Sequence, residues 1–149
     1  MSRIIILDSG PLGMVTNPQA KPPYLECQLW LDSLLQNGEM VILPEIADYE
    51  VRRELIRAGK ERGIRKLDLF KKVLTYRPLT TEVMLLAAQL WAQARMRGRP
   101  TAEANALDGD VILAAQAILE GSEGNQVVIA TTNVGHLSQF IDAREWRLI

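Results

Sequence analysis

With 149 residues, a net charge of -1 and 48% hydrophobic but only 5% aromatic residues, the chain is expected to form one domain over 1–149, whose core needs neither disulfide nor structural metal. Its longest apolar runs, such as 84–88, fall far short of the roughly 20 residues of a membrane span. The single cysteine, Cys27, excludes an internal disulfide, a zinc ribbon and a CxxC redox pair, so a soluble protein in a reducing, cytoplasmic setting without a membrane partner is expected.

Residues 3–7 have the continuous, β-branched hydrophobicity of a strand buried on both faces. That run is too short for the apolar region of a signal peptide, about 7 to 15 residues. Asp8-Ser9-Gly10-Pro11 reads as a turn and leaves Asp8 at the strand tip. After a loop with Pro18, Pro22 and Pro23, the spacing of Leu25, Leu29, Leu31, Leu34 and Leu35 predicts a helix over 24–36, stopped near Gly38. A second strand follows at 40–43.

Pro44 is expected to open a helix to about residue 58, with Glu45 and Asp48 at the positive end of its dipole. Gly59 and Gly63 punctuate the chain before a helix marked by Ile64, Leu67, Phe70 and Leu74, and 76–79 suits a short strand. Thr80 or Thr81 caps a long helix through Arg97, its buried stripe predicted at Leu85, Ala88, Trp91 and Ala92, with Gly98 and Pro100 closing it. Asp108 is read as the N-cap of an apolar helix over 111–119, and Asp110 as its second position. A buried strand at 126–130 ends at Thr131-Thr132-Asn133, and 146–149 is taken as a last edge strand. Alternating strands and helices imply a three-layer α/β/α sandwich with a mostly parallel central sheet. Ligands of such sheets bind beyond the C-terminal strand ends, where Asp8 and Asn133 fall.

Charge is unevenly spread. Between Arg52 and Lys72 nine basic residues face three acidic ones, and Arg95, Arg97 and Arg99 form a smaller cluster. These segments are either solvated helix faces or surfaces that track phosphates. No GxGxxG, GxxxxGK[ST] or GxSxG motif is present, which leaves nucleotide-binding and serine-hydrolase chemistry without support. His136, the single histidine, has no serine or cysteine partner in view and is read as structural.

What remains is a set of carboxylates at element ends: Asp8, Glu50, Asp108 and Asp110. Gathered in one cleft they repel and raise one another's pKa, and a cation relieves that repulsion. Ligands that are all oxygen select a hard ion, magnesium or manganese. Each residue also has a plainer role: Asp8 in a turn, Asp108 as a cap, Glu50 in a surface ion pair with Arg53.

Taken together, Ile4-Ile5-Ile6-Leu7-Asp8-Ser9-Gly10-Pro11-Leu12, Pro44-Glu45-Ile46-Ala47-Asp48-Tyr49-Glu50, Asp110-Val111-Ile112-Leu113-Ala114-Ala115-Gln116-Ala117 and Ile129-Ala130-Thr131-Thr132-Asn133 resemble the four segments of the PIN-domain family, including its VapC-like toxins. The resemblance covers nearly the whole chain. It implies a magnesium- or manganese-dependent endoribonuclease that leaves a 5′-phosphate and a 3′-hydroxyl. Asp8 and Asp110 would be the main metal ligands. Glu50 would hold metal or orient the attacking water, and Asn133 with Thr131 would complete the shell. Where the family often has a fourth aspartate this chain has Asn133, a neutral ligand, so metal binding would either be weaker or recruit Asp108. A small antitoxin protein and a homodimer are the further partners implied, beside RNA. The alternative is a PIN-fold module that binds RNA or protein without cutting. A receiver-like signalling domain is disfavoured, because 131–140 contains no lysine.

Overall fold

The computed structural model describes residues 3–97 and 104–149. Five strands form one sheet: β1 (Arg3–Leu7), β2 (Met40–Pro44), β3 (Thr75–Arg77), β4 (Gln126–Thr131) and β5 (Ala143–Glu145), in the order β3-β2-β1-β4-β5. Every pairing is parallel. The predicted α/β/α sandwich is therefore what forms, and β1, the first strand of the chain, is its centre.

Alternation along the central strands explains the three layers. Ile5, Leu7, Val41, Leu43, Val128 and Ala130 point to one face, where α1 (Ser9–Thr16), α2 (Pro22–Gln36) and α4 (Glu61–Val73) contribute Leu12, Val15, Leu31 and Leu67. Ile4, Ile6, Ile42 and Ile129 point to the other, against Leu113 and Ala117 of α6 (Ala104–Glu120). Helix α5 (Thr81–Met96) packs on α6 through Val83, Ala87, Leu90 and Ala94. Helix α3 (Glu45–Arg57) supplies Ile46 to one face and Ala47 and Val51 to the other. Each buried aliphatic side chain contributes about 1.5–3 kcal/mol of transfer free energy. Among the described residues no helix is long and apolar enough to cross a membrane.

Several expectations about local structure are corrected. Asp8 does not open a simple turn but is the N-cap of α1, which Gly10 and Gly13, poor helix formers, conceal in the sequence. Pro44 ends β2 and caps α3 instead of opening it. Gly63 lies inside α4 against the Leu55 side chain, so it marks a close helix contact and not a break. The stripe of α5 is rotated from the predicted phase, leaving Leu85 63% exposed. Helix α6 begins at Ala104, so Asp108 is not its N-cap and Asp110 lies well inside the first half. Residues 146–149 are not an edge strand, since β5 precedes them and Trp146 turns into the core against Trp30, ring centroids 5.4 Å apart. Gly98, Arg99 and Pro100 lie outside the described residues.

The cap expected at the start of α5 is present: Thr80 Oγ1 accepts the Val83 N–H at 3.1 Å. Thr80→Ala is expected to cost about 1 kcal/mol of unfolding free energy, read from the urea midpoint at unchanged slope.

Candidate active site

Strand β1 runs beside β4 in parallel register, Leu7 opposite Ala130. The Asp8 N–H donates to the Ala130 carbonyl at 2.9 Å, which fixes the residue just past the sheet. Its carboxylate is held on both oxygens: Oδ1 accepts the Ser9 N–H at 2.7 Å and Oδ2 accepts the Thr131 hydroxyl at 2.7 Å. The same hydroxyl accepts the Asn133 N–H at 3.0 Å. One oxygen thus ties the end of β4 to the end of β1.

Two further carboxylates come from helices flanking this edge, Glu50 from the middle of α3 and Asp110 from α6. Both are partly buried. Burial, then the Asp8 charge, raises Glu50 above the ordinary carboxylate range, and Asp110 adds to the push while Arg53 opposes it. Asp110 is raised to about 6 by burial and by Asp8, against a lowering influence from His136. Asp8 acts on both Glu50 and Asp110, and Asp110 acts on Glu50, so three distant parts of the chain meet as one electrostatic group.

Gly109 leaves the Glu50 carboxylate room against α6. A Cβ there would stand 2.8 Å from Glu50 Oε2, so the carboxylate of α3 rests directly against the backbone of α6. The Thr132 side chain occupies the space a Cβ on Gly10 would need, which locks the start of α1 to the loop after β4. Asp108 is exposed on α6 and is not among the charges acting on Glu50 or Asp110. Asn133 is exposed at the turn after β4, its Oδ1 lying over Gly135. The structure therefore joins Asp8, Glu50 and Asp110, links Asn133 to them through Thr131, and leaves Asp108 apart.

Sequence reasoning passed over Gly109 and read His136 as structural. A glycine between two aspartates in a helix costs about 1 kcal/mol relative to alanine, and that cost was the available signal. His136 gave none, because its proximity to Asp110 depends on the approach of the loop after β4 to α6.

A cleft of about 540 Å³ opens beside Glu50 between α1 and α3, lined by Ser9, Gly10, Glu50 and Glu54 and by Arg53, Arg57 and Lys60. A second hollow of about 320 Å³ continues the basic surface with Arg62, Arg65 and Lys66. Arg52 is withdrawn from that surface by bonds to Asp48 and Asp68, and Arg57 is paired with Glu54 at 2.7 Å. Arg95 lies over the Trp91 ring of its own helix.

Among the described residues no three acidic, histidine or cysteine side chains stand as a ready-made metal cage. The donor chemistry nevertheless suits a hard cation: the ligands are carboxylate oxygens, they are partly desolvated, and they repel one another. Magnesium characteristically keeps several waters and takes only one or two protein carboxylates, a demand that Asp8 with Asp110 or Glu50 can meet.

Neither a family model nor a curated protein matches the sequence. Solved structures do match. VapBC2 from Rickettsia felis, bound to a DNA fragment from its promoter, is similar at a TM-score of 0.71 and 18% identity, covering 95% of this chain and 97% of that one. VapBC-1 from nontypeable Haemophilus influenzae gives 0.66 at 16% identity, covering 97% and 98%. DNA-bound VapBC from Salmonella typhimurium gives 0.64 at 19%, covering 98% and 99%. Over almost its full length, then, this chain has the PIN-type α/β/α fold that it shares with a chain of the VapBC complexes.

Proposed function

We propose that the chain is a metal-dependent endoribonuclease of the PIN type and the toxin of a toxin–antitoxin pair. The observation that carries this reading is the electrostatic group itself: carboxylates from the residue after β1, from α3 and from α6 are brought to one end of the sheet, with Glu50 and Asp110 raised above the ordinary carboxylate range by burial and by Asp8. A structural role does not account for three partly buried acids that oppose one another, whereas a cation site does.

Asp8, Asp110 and Glu50 would hold magnesium or manganese, with Asn133 as a neutral neighbour. When bound, the ion would lower the pKa of a water and offset charge building on the phosphate. Asp8 is kept in one orientation by Thr131 and the Ser9 N–H. Glu50, raised above the ordinary carboxylate range by burial and by Asp8, would hold the metal or orient the attacking water. Arg53 and Lys60 line the approach and would bind backbone phosphates, which fixes the strand's position and not its sequence.

Incubation of the purified protein with end-labelled single-stranded RNA and manganese tests the reading. Cleavage that disappears in EDTA and returns with added metal is expected. Intact RNA throughout, with retained RNA binding, would favour the non-cutting PIN module.

The VapBC likeness also supports a small antitoxin as partner. For a homodimer, the support is the apolar surface formed by Leu25 and Leu29 of α2, 42% and 68% exposed. Sedimentation at equilibrium should then give twice the chain mass, reduced to that of the monomer by Leu29→Asp.

A further inference from the structure

Tyr49 precedes Glu50 on α3 and is 55% exposed, with its ring outside the core. Arg53, one turn further on, lies over that ring with the guanidinium carbon 5.0 Å from the centroid, within the range of a cation–π contact. Arg53 also lines the cleft that holds Glu50. A single side chain therefore connects an exposed aromatic face to the carboxylate group. The other rings that carry a cation among the described residues, Tyr76, Trp91 and Trp146, are partly or fully buried. Tyr49 alone of these four has an open ring.

Proteins that hold single-stranded nucleic acid combine a positively charged groove with aromatic faces on which bases stack. Here the groove runs from Arg53 past Lys60 toward Arg62, Arg65 and Lys66, and the Tyr49 ring adjoins it through Arg53, which lines the groove and lies over the ring. A base in a duplex is covered by its neighbours, so such a platform can only serve an unpaired one.

Building on the ribonuclease reading, we propose that Tyr49, steadied by Arg53, is the platform for an unpaired nucleobase of a single-stranded RNA whose adjoining phosphate reaches Glu50. Tyr49 is thus a positioning residue and favours single strands over duplexes. The hydroxyl has no part in stacking, whereas the ring is essential to it.

The test is fluorescence anisotropy of a short labelled oligoribonucleotide titrated with the full-length protein in calcium, beside its duplex and a version containing abasic sites. Tyr49→Ala is expected to weaken single-strand binding about tenfold, with Tyr49→Phe within twofold of the parent. Duplex binding should be unaltered, and the alanine penalty should vanish on the abasic strand. Equal binding by Tyr49→Ala and the parent overturns the platform, as does a Tyr49→Phe variant as weak as alanine. A loss of binding that accompanies a change in sedimentation mass overturns it too, and makes Tyr49 part of a protein interface. If the parent cuts RNA while Tyr49→Ala binds as it does, the platform alone fails. If the parent neither binds nor cuts, the ribonuclease reading fails with it.

Discussion

Asp8→Asn is expected to slow cleavage of labelled RNA in manganese by on the order of a thousandfold, about 4 kcal/mol on the barrier at 1.36 kcal/mol per decade. The substitution changes almost nothing in shape. An asparagine oxygen can keep the Ser9 N–H while its amide N–H donates to Thr131 Oγ1, whose own hydrogen turns to the Asn133 carbonyl at 3.2 Å, so the tie between β1 and β4 persists. What disappears is one negative charge, and with it a proposed ligand of a hard cation. That same charge raises both Glu50 and Asp110, so its removal should leave the metal-free protein at least as stable as the parent. Activity and stability thus move in opposite directions, which a residue serving only the fold would not do. Undiminished cleavage by Asp8→Asn, with metal dependence intact, would move the chemistry to another site.

How much of this was legible in the sequence depends on the distance over which each signal acts. The strand of Ile4, Ile5, Ile6 and Leu7 was readable because burial on both faces demands an unbroken apolar run, and it fixed Asp8 at a strand tip. The helix at α3 was readable from Pro44 and from Glu45 and Asp48 in its first turn, and Glu50 was picked from its acids by the spacing of the family segment it resembles. Helix α1 was not readable: its start carries Gly10, which Thr132 requires to be small, and tertiary packing overrides the poor propensity. The stripe of α5 was misplaced by one helical face, since Leu85 and Val83 are equally apolar and only contact with α6 selects Val83. Asp108 was a credible cap because aspartate before an apolar run usually is one, yet α6 starts four residues earlier. Their places at element ends put Asp8, Glu50, Asp108 and Asp110 forward as one set, and family resemblance singled out Asp8, Glu50 and Asp110 within it, because their convergence is a property of parallel topology. Gly109, the residue that allows Glu50 to touch α6, acquires its meaning only in three dimensions.

The same electrostatic group makes stability depend on pH, in a direction opposite to that of ordinary ion-paired carboxylates. Without metal, Asp110 titrates near 6 in the folded protein against an ordinary value of 3.8. Between those two values the folded state binds more protons than the unfolded one, so stability falls as pH rises through the window. Above about pH 6 the full cost is present, at most about 3 kcal/mol by the linkage relation and about 2 kcal/mol after allowance for partial solvent screening. Glu50, raised for the same reasons, acts in the same sense. Asp110→Asn removes the charge and with it this cost. In EDTA at pH 7.5 the variant is therefore expected to be about 2 kcal/mol more stable than the parent, by urea denaturation. At pH 4, where the Asp110 carboxyl is largely protonated, the two should nearly coincide. Manganese should then close the gap at pH 7.5 by stabilising the parent in proportion to its occupancy, with little effect on the variant. A stability difference that is the same at both pH values would mean that Asp110 acts through packing and not through charge, and would remove it from the proposed metal site.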